Sequence, residues 1–178
     1  SDPNLIRSIH AEYRDAGADV LTTNTFGANR IALAHFGLAE KVREINRAGS
    51  KIAREVADEA GQPLFVAGSI GPLPLQSQYE FQIEDLILEQ VESLMAGGAD
   101  FILFETQPNR AALEKCAAAM RRKPDAPYVL SFALEVGGET ATGETVERLM
   151  APLPDSFPSP IAWGMNCGSG PDGLLSAV

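Results

Sequence analysis

The residues best suited to chemistry gather near the end of the chain. An apolar run, Ile161-Ala162-Trp163, leads into Gly164-Met165-Asn166-Cys167-Gly168-Ser169-Gly170-Pro171. A strand ending at Asn166 makes Cys167 the first residue of the loop beyond it. Gly168 and Gly170 let the backbone turn tightly there, and Pro171 suits the opening of a helix. Three earlier apolar runs also end in polar residues, so the strand ends read Asn24, Ser69, Glu105 and then Asn166-Cys167. In α/β proteins the active site lies at the C-terminal edge of the strands. This set suits a small polar ligand with a positive group for Glu105 and a soft atom or a metal near Cys167.

Each of these residues also has a structural reading. Glu105 follows four apolar residues and needs a partner to offset its desolvation, which a structural ion pair would supply. A lone cysteine is often an inert, buried apolar residue; the glycine-rich setting separates Cys167 from that case. Cys116, on a helical stripe, reads as core. Asn24 and Asn166 can satisfy turn backbone, and Ser69-Ile70-Gly71-Pro72 can be simply a tight strand-to-helix turn. His10 and His35 lie on helices away from the strand ends and are expected on the surface. Gly168 and Gly170 lack the lysine of a P-loop.

The elements that must position these groups alternate. Asp2-Pro3 caps a helix carrying Leu5, Ile6, Ile9 and Tyr13, which Gly17 stops. Strand pattern covers Val20 to Thr25, and helical pattern runs from Arg30 to Gly37 and from about Glu40 to Ala60. In the second of these helices Val42, Ile45, Ile52 and Val56 point inward, and charges of mixed sign form a solvated face. Leu64 to Ala67 is strand, a proline- and glutamine-containing loop covers roughly Gly71 to Gln82, and Ile83 to Ala96 is helix. Phe101 to Phe104 is an apolar strand, and Asn109 caps the next helix. Tyr128 to Leu134 is strand, and a short helix spans about Glu144 to Met150. Five strand–helix steps with strands apolar on both faces predict a parallel sheet. Gly17-Ala18-Asp19 and Gly98-Ala99-Asp100 introduce two of the strands in the same way, which aligns Asn24-Thr25 with Glu105-Thr106.

Composition narrows the function classes. With 178 residues and 45% hydrophobic content, one domain with a real core is expected. A formal charge of −10 disfavours nucleic acid or an anionic membrane as partner. No stretch approaches the ~20 apolar residues of a membrane span, and no signal-peptide pattern opens the sequence. Two cysteines are too few for a disulfide scaffold and fit a reducing, cytoplasmic setting.

Four segments together resemble the homocysteine S-methyltransferase family. They are Ala16 through Phe26, Gly68-Ser69-Ile70-Gly71-Pro72, Gly98-Ala99-Asp100 through Phe104-Glu105-Thr106, and Gly164-Met165-Asn166-Cys167-Gly168, in the family's order. The resemblance implies a (β/α)8 TIM barrel with a zinc ion at its C-terminal mouth, of which residues 1–178 would carry roughly strands two to six. Cys167 then stands at the family's first zinc-ligating cysteine, and Glu105 at the carboxylate that holds the substrate's amino group. Asn24, Ser69, Thr106 and Asn166 fall in segments that line the homocysteine pocket. The implied reaction moves a methyl group to the zinc-activated thiol of homocysteine, giving methionine.

The family's adjacent Cys-Cys pair and its Asp-Gly-rich opening strand have no counterpart in the sequence, so the barrel domain is expected to be incomplete at both ends. The methyl donor, a small molecule or a cobalamin-borne group, is not encoded here, nor is the choice between sulfur and selenium as acceptor. Further domains or a homo-oligomer remain open. So do two other roles. One is a non-catalytic α/β fragment that binds a small amino acid or a partner protein. The other is a barrel enzyme using Cys167 itself as nucleophile, for which neither histidine offers a base.

Overall fold

A computed structural model of the chain describes residues 2–73, 82–168 and 170–176. Its elements follow one another as helix and strand: α1 (Pro3–Asp15), β1 (Val20–Thr22), α2 (Arg30–Ala34), a 3-10 turn (Ala39–Lys41), α3 (Val42–Asp58), β2 (Phe65–Ile70), α4 (Ile83–Ala96), β3 (Phe101–Gln107), α5 (Arg110–Met120), β4 (Tyr128–Phe132), α6 (Val146–Leu149), β5 (Ala162–Met165) and α7 (Gly170–Ser176). The five strands form one sheet in chain order, β1-β2-β3-β4-β5. β1 pairs with β2 in parallel, Leu21 opposite Val66. β4 pairs with β5 in parallel, Leu130 opposite Trp163 and Ser131 opposite Gly164. This is the α/β architecture that the alternating pattern predicts. Most of the loop expected between Gly71 and Gln82 lies outside the described residues.

Local chemistry sets the helix starts. The Asp2 carboxylate accepts from the Asn4 N–H at 3.0 Å, and the Asn109 side chain accepts from the Ala112 N–H at 2.9 Å. Each satisfies a donor that the first turn leaves open. The two Gly-Ala-Asp segments act alike. Gly17 and Gly98 both take positive φ. The N–H of Ala18 then bonds the Tyr13 carbonyl, and that of Ala99 bonds the Leu94 carbonyl, each at 3.1 Å. These are Schellman caps, which end a helix and turn the chain into the next strand.

The chain divides into two compact units, Ser1–Ile70 with Glu89–Ile102, and Gly71–Leu88 with Leu103–Val178. In the first, Leu21, Val66, Val56, Val91, Leu94 and Ile102 form the core. In the second, Phe104, Leu113, Met120, Tyr128, Leu130 and Phe132 do so. There the Phe104 and Tyr128 rings meet edge to face, 6.0 Å apart.

Two expectations are corrected. On α3, Ile45 and Ile52 are only half-buried, and the buried stripe is Val42, Asn46, Ser50, Ala53, Val56 and Ala57. The small and polar members let α3 come close to its neighbours. Ser50 donates to the Leu94 carbonyl at 2.9 Å. Asn46, fully buried, donates to the Ala28 carbonyl at 2.7 Å and accepts from Gln90 at 3.3 Å. His10, expected at the surface, is buried, 6% exposed, because it falls one turn after Ile6 on the packed face of α1. Burial pushes its imidazole below the usual histidine range. His35 ends α2 as its cap residue.

The turn after β5 is fixed by space as well as by conformation. Gly168 has φ +79°, and a side-chain carbon there would run into the Leu134 carbonyl oxygen. Gly168→Ala is expected to destabilise by roughly 1–3 kcal/mol from backbone conformation alone, and further through the collision. Asn46→Ala, which leaves the Ala28 carbonyl buried without its donor, should lower stability by about 1–3 kcal/mol. Urea unfolding of both variants checks this; wild-type midpoints would refute both assignments.

Candidate functional site

In the second unit one side chain organises the strand ends. Asn166 follows β5 directly, and its Oδ1 accepts from the Thr106 N–H of β3 at 3.0 Å. The same oxygen accepts from the Ser131 hydroxyl of β4 at 2.6 Å. Its Nδ2 donates to Thr106 Oγ1 at 2.6 Å and to Cys167 Sγ at 3.4 Å. The Thr106 N–H can only donate, so the atom facing it is the amide oxygen, and the amide's orientation follows from the network. Three neighbouring strands thus meet at one carboxamide.

The backbone there is strained. Thr106 has φ +61° and Cys167 φ +62°, the only described non-glycine residues in the left-handed region. For a β-branched residue such as Thr106 this conformation is rare and is stabilised from outside. Asn166 does so, holding both the N–H and the hydroxyl of Thr106. Cys167 is exposed, with its sulfur 4.0 Å from Thr106 Oγ1. Glu105 precedes Thr106 on β3 and is half-buried. The other thiol has the opposite fate. Cys116 is buried in the core, where desolvation pushes its pKa far up.

Close by in sequence, Arg110 holds the segment after α6. Its guanidinium donates to the carbonyls of Leu149 and Ala151 at 2.9 and 2.5 Å. Its backbone N–H donates to the Glu144 carboxylate at 3.1 Å. Burial alone would raise the Glu144 pKa; the bonds from Arg110, Arg148 and Thr142 outweigh it and hold this carboxyl below its usual range.

The first unit has its own polar strand end, built from hydroxyls. Thr23 Oγ1 and Thr25 Oγ1 lie 2.7 Å apart. Thr25 Oγ1 donates to the Ser69 carbonyl at 2.8 Å, and the Ser69 N–H donates to Thr23 Oγ1 at 2.9 Å. Ser69 is buried inside β2, which runs to Ile70 and not merely to Ala67. Asn24, between the two threonines, is exposed and outside this network.

Of the residues singled out in the sequence, Thr106, Asn166 and Cys167 are therefore in mutual contact, and Glu105 adjoins them along β3. Ser69 is joined to Thr23 and Thr25 through its backbone. Sequence reasoning missed Thr23, Thr25 and Ser131. The signal for Ser131 is a hydroxyl inside the apolar strand Tyr128–Phe132; that for the threonines is their spacing of two around Asn24.

The arrangement offers one accessible sulfur just past a strand end, with an N–H donor beside it. A soft cation fits that sulfur, and Cys167 can contribute one ligand. Among the described residues no group of three His, Cys, Asp or Glu side chains is placed to hold a metal ion. No described helix is long and apolar enough to cross a membrane.

Comparison with known proteins gives this geometry its context. The chain is 34% identical over 181 residues to the methionine synthase of Mycobacterium tuberculosis (strain ATCC 25618 / H37Rv), a match covering 95% of this chain and 15% of that protein. It is 32% identical over 181 residues to the methionine synthase of Mycobacterium leprae (strain TN), again covering 15% of the relative. The metallated form of the homocysteine methyltransferase MmuM from Escherichia coli superposes with a TM-score of 0.80 at 28% identity, covering 94% of this chain and 64% of that one. The apo form of the same enzyme gives a TM-score of 0.77 at 27% identity, covering 98% and 66%. The five-stranded parallel sheet thus matches part of the TIM barrel of the MmuM structures. The family model described as homocysteine S-methyltransferase matches residues 1–178, and the chain belongs to that family.

Proposed function

We propose that this chain supplies the acceptor side of an enzyme that transfers a methyl group to the thiol of homocysteine, giving methionine. The observation that carries the reading is the accessible Cys167 sulfur, fixed beside Thr106 and Asn166 at the strand ends of a chain that matches this family throughout. Residues 1–178 are read as the larger part of a (β/α)8 barrel, with the remaining strands and metal ligands elsewhere in the polypeptide or its assembly. The relatives are named for catalysis, which sets this reading ahead of a non-catalytic binding fragment.

In this reading Cys167 is one ligand of a zinc ion. Bound zinc would lower the proton affinity of a coordinated substrate thiol, making the sulfur a nucleophile at neutral pH. The chain's own residues position the partners. Glu105 takes the ammonium of homocysteine, which orients the amino acid so that its sulfur can meet the methyl donor. Thr106 and Asn166 line the acceptor pocket on the second unit. In the transfer the substrate sulfur forms the new S–CH3 bond, the bond from methyl to donor breaks, and its electron pair leaves with the donor. The thiol proton is released to solvent when homocysteine binds. No side-chain base is needed, and the work lies in alignment. The donor is a small molecule or a cobalamin-borne methyl group, and both thiols being free suits a reducing cytoplasm.

Two variants of the intact protein test this. Cys167→Ala should lose bound zinc, measured by plasma emission, together with methionine formation; full activity in that variant would sink the proposal. Glu105→Gln should keep the metal and raise KM for homocysteine about tenfold to a hundredfold, as expected for a lost bond to a charged group. An unchanged KM would remove Glu105 from the amino-group site.

A further inference from the structure

On the reading of residues 1–178 as part of a closed barrel, and on no step of the proposed chemistry, we propose that the His10 imidazole docks a further strand of the same polypeptide. That strand lies parallel to β1 along its open edge and turns a hydroxyl, amide or carboxyl side chain to the ring.

β1 is the outermost strand on its side of the described sheet. The Asp19 carbonyl accepts from the Phe65 N–H at 3.0 Å, and the Thr23 N–H donates to the Ala67 carbonyl at 2.9 Å. Backbone groups alternate in direction along a strand, so those of Val20 and Thr22 point away from β2. Both residues are exposed, with buried Leu21 between them. An edge of this kind is a template for another strand.

The order of elements fixes which strand belongs there. A helix joining two parallel strands is their crossover. α4 joins β2 to β3 in this way and α5 joins β3 to β4, each step moving one strand further across the sheet. α1 leads into β1 but has a described strand on one side only. Crossovers in one sheet share a right hand, so the strand that enters α1 belongs beside β1, opposite β2. Polypeptide beyond these residues exists in the relatives, of which the chain covers 64% of MmuM and 15% of the Mycobacterium tuberculosis methionine synthase.

The space for that strand is present. A cavity of about 660 Å³ is bounded by Val20 to Asn24 on one side and by Ile6, Ile9, His10 and Tyr13 of α1 on the other. Ile9 and Tyr13, one turn apart, leave an apolar stripe exposed. His10 beside them is more than nine-tenths buried, and its Nε2 has no hydrogen-bond partner among the described residues. Such a nitrogen left unpaired costs about 1–3 kcal/mol, and buried polar groups are almost always paired. A strand in the cavity turns alternate side chains towards α1, and one polar group among them meets the ring. A small apolar ligand would fill the space but leave both the imidazole and the Val20 and Thr22 backbone without partners.

The test follows amide exchange in the intact protein, by mass spectrometry with fragmentation that resolves single residues. The Val20 and Thr22 N–H groups are expected to exchange as slowly as that of Thr23, which pairs with β2. Fast exchange at Val20 and Thr22 beside slow exchange at Thr23 would mean that water or a small ligand fills the cavity, and overturns the proposal. Protection lost on dilution would put a second copy of the chain at the edge, and overturns it too. His10→Phe keeps a ring and removes the nitrogens. It should speed exchange at Val20 and Thr22 about tenfold, the size of one lost hydrogen bond, and leave Leu130 of the second unit unmoved. His10→Gln, which can still hydrogen-bond, should restore the protection. Wild-type exchange in His10→Phe would remove His10 from the docking site. If His10→Phe does not fold, His10→Leu is compared with His10→Gln, and the wild-type pattern decides without either. Methionine formation is measured alongside. Activity with an unprotected edge would overturn this inference and leave the proposed function standing; a protected edge in an inactive protein would do the reverse.

Discussion

Much of the second unit depends on the Asn166 carboxamide. Two non-glycine residues, Thr106 and Cys167, are held in the left-handed region, at about 1–3 kcal/mol each. Four hydrogen bonds converge on the amide from β3, β4 and the turn after β5. At a net ~0.5–1.5 kcal/mol each, they offset strain of the same size. The strain is not incidental. A left-handed residue reverses the side-chain direction that the strand would impose, and at Cys167 this happens at the first opportunity after β5. The thiol is thereby placed on a defined vector without a long, mobile loop.

The first unit solves a related problem with different groups. There the strand ends are joined by Thr23, Thr25 and the Ser69 backbone, a closed set of hydroxyl, N–H and carbonyl partners with no titratable member. Buried backbone at the end of a short strand has no further ladder to pair with and must find side-chain partners. Hydroxyls on a residue spacing of two provide them on one face, and this leaves Asn24 on the other face, exposed. The aligned segments Asn24-Thr25 and Glu105-Thr106 therefore share an origin in the Gly-Ala-Asp cap and diverge in what the strand end does. One joins its strand ends through hydroxyls, and the other carries the thiol network.

Much of this was legible in the residues. The Gly-Ala-Asp caps, the Asp2 and Asn109 helix starts, the five strands and the place of Cys167 beyond the last one are all local signals, and the structure shows them. What was not legible depends on distant partners. Strands β2 and β3 run past Ala67 and Phe104 to take in Ser69, Glu105 and Thr106, because ladder pairing outweighs the polarity of single residues. His10 is buried because the face of α1 is set by its packing on α3, and a helical wheel gives that face only approximately. Ser131 gains its meaning from Asn166, 35 residues away, and from the glycine opposite it. No spacing rule links those three positions before the strands are paired.

The contrast between the two thiols shows why the site works by placement. Cys116 and Cys167 are the same chemical group in one polypeptide. Burial on the packed face of α5 desolvates Cys116 and stabilises its neutral form. Cys167 is kept accessible by a glycine-rich turn and given a single N–H neighbour. A site organised this way has no need of a histidine, and the network around Cys167 contains none. Proton transfer by a side chain would demand a group with a tuned pKa close to the reacting atom. Alignment demands fixed backbone and paired polar groups, and at the strand ends of β3, β4 and β5 the Asn166 amide pairs with Thr106 and Ser131. A reaction whose difficulty lies in bringing a soft nucleophile and an electrophile into line, such as the methyl transfer proposed above, asks for no more than such alignment.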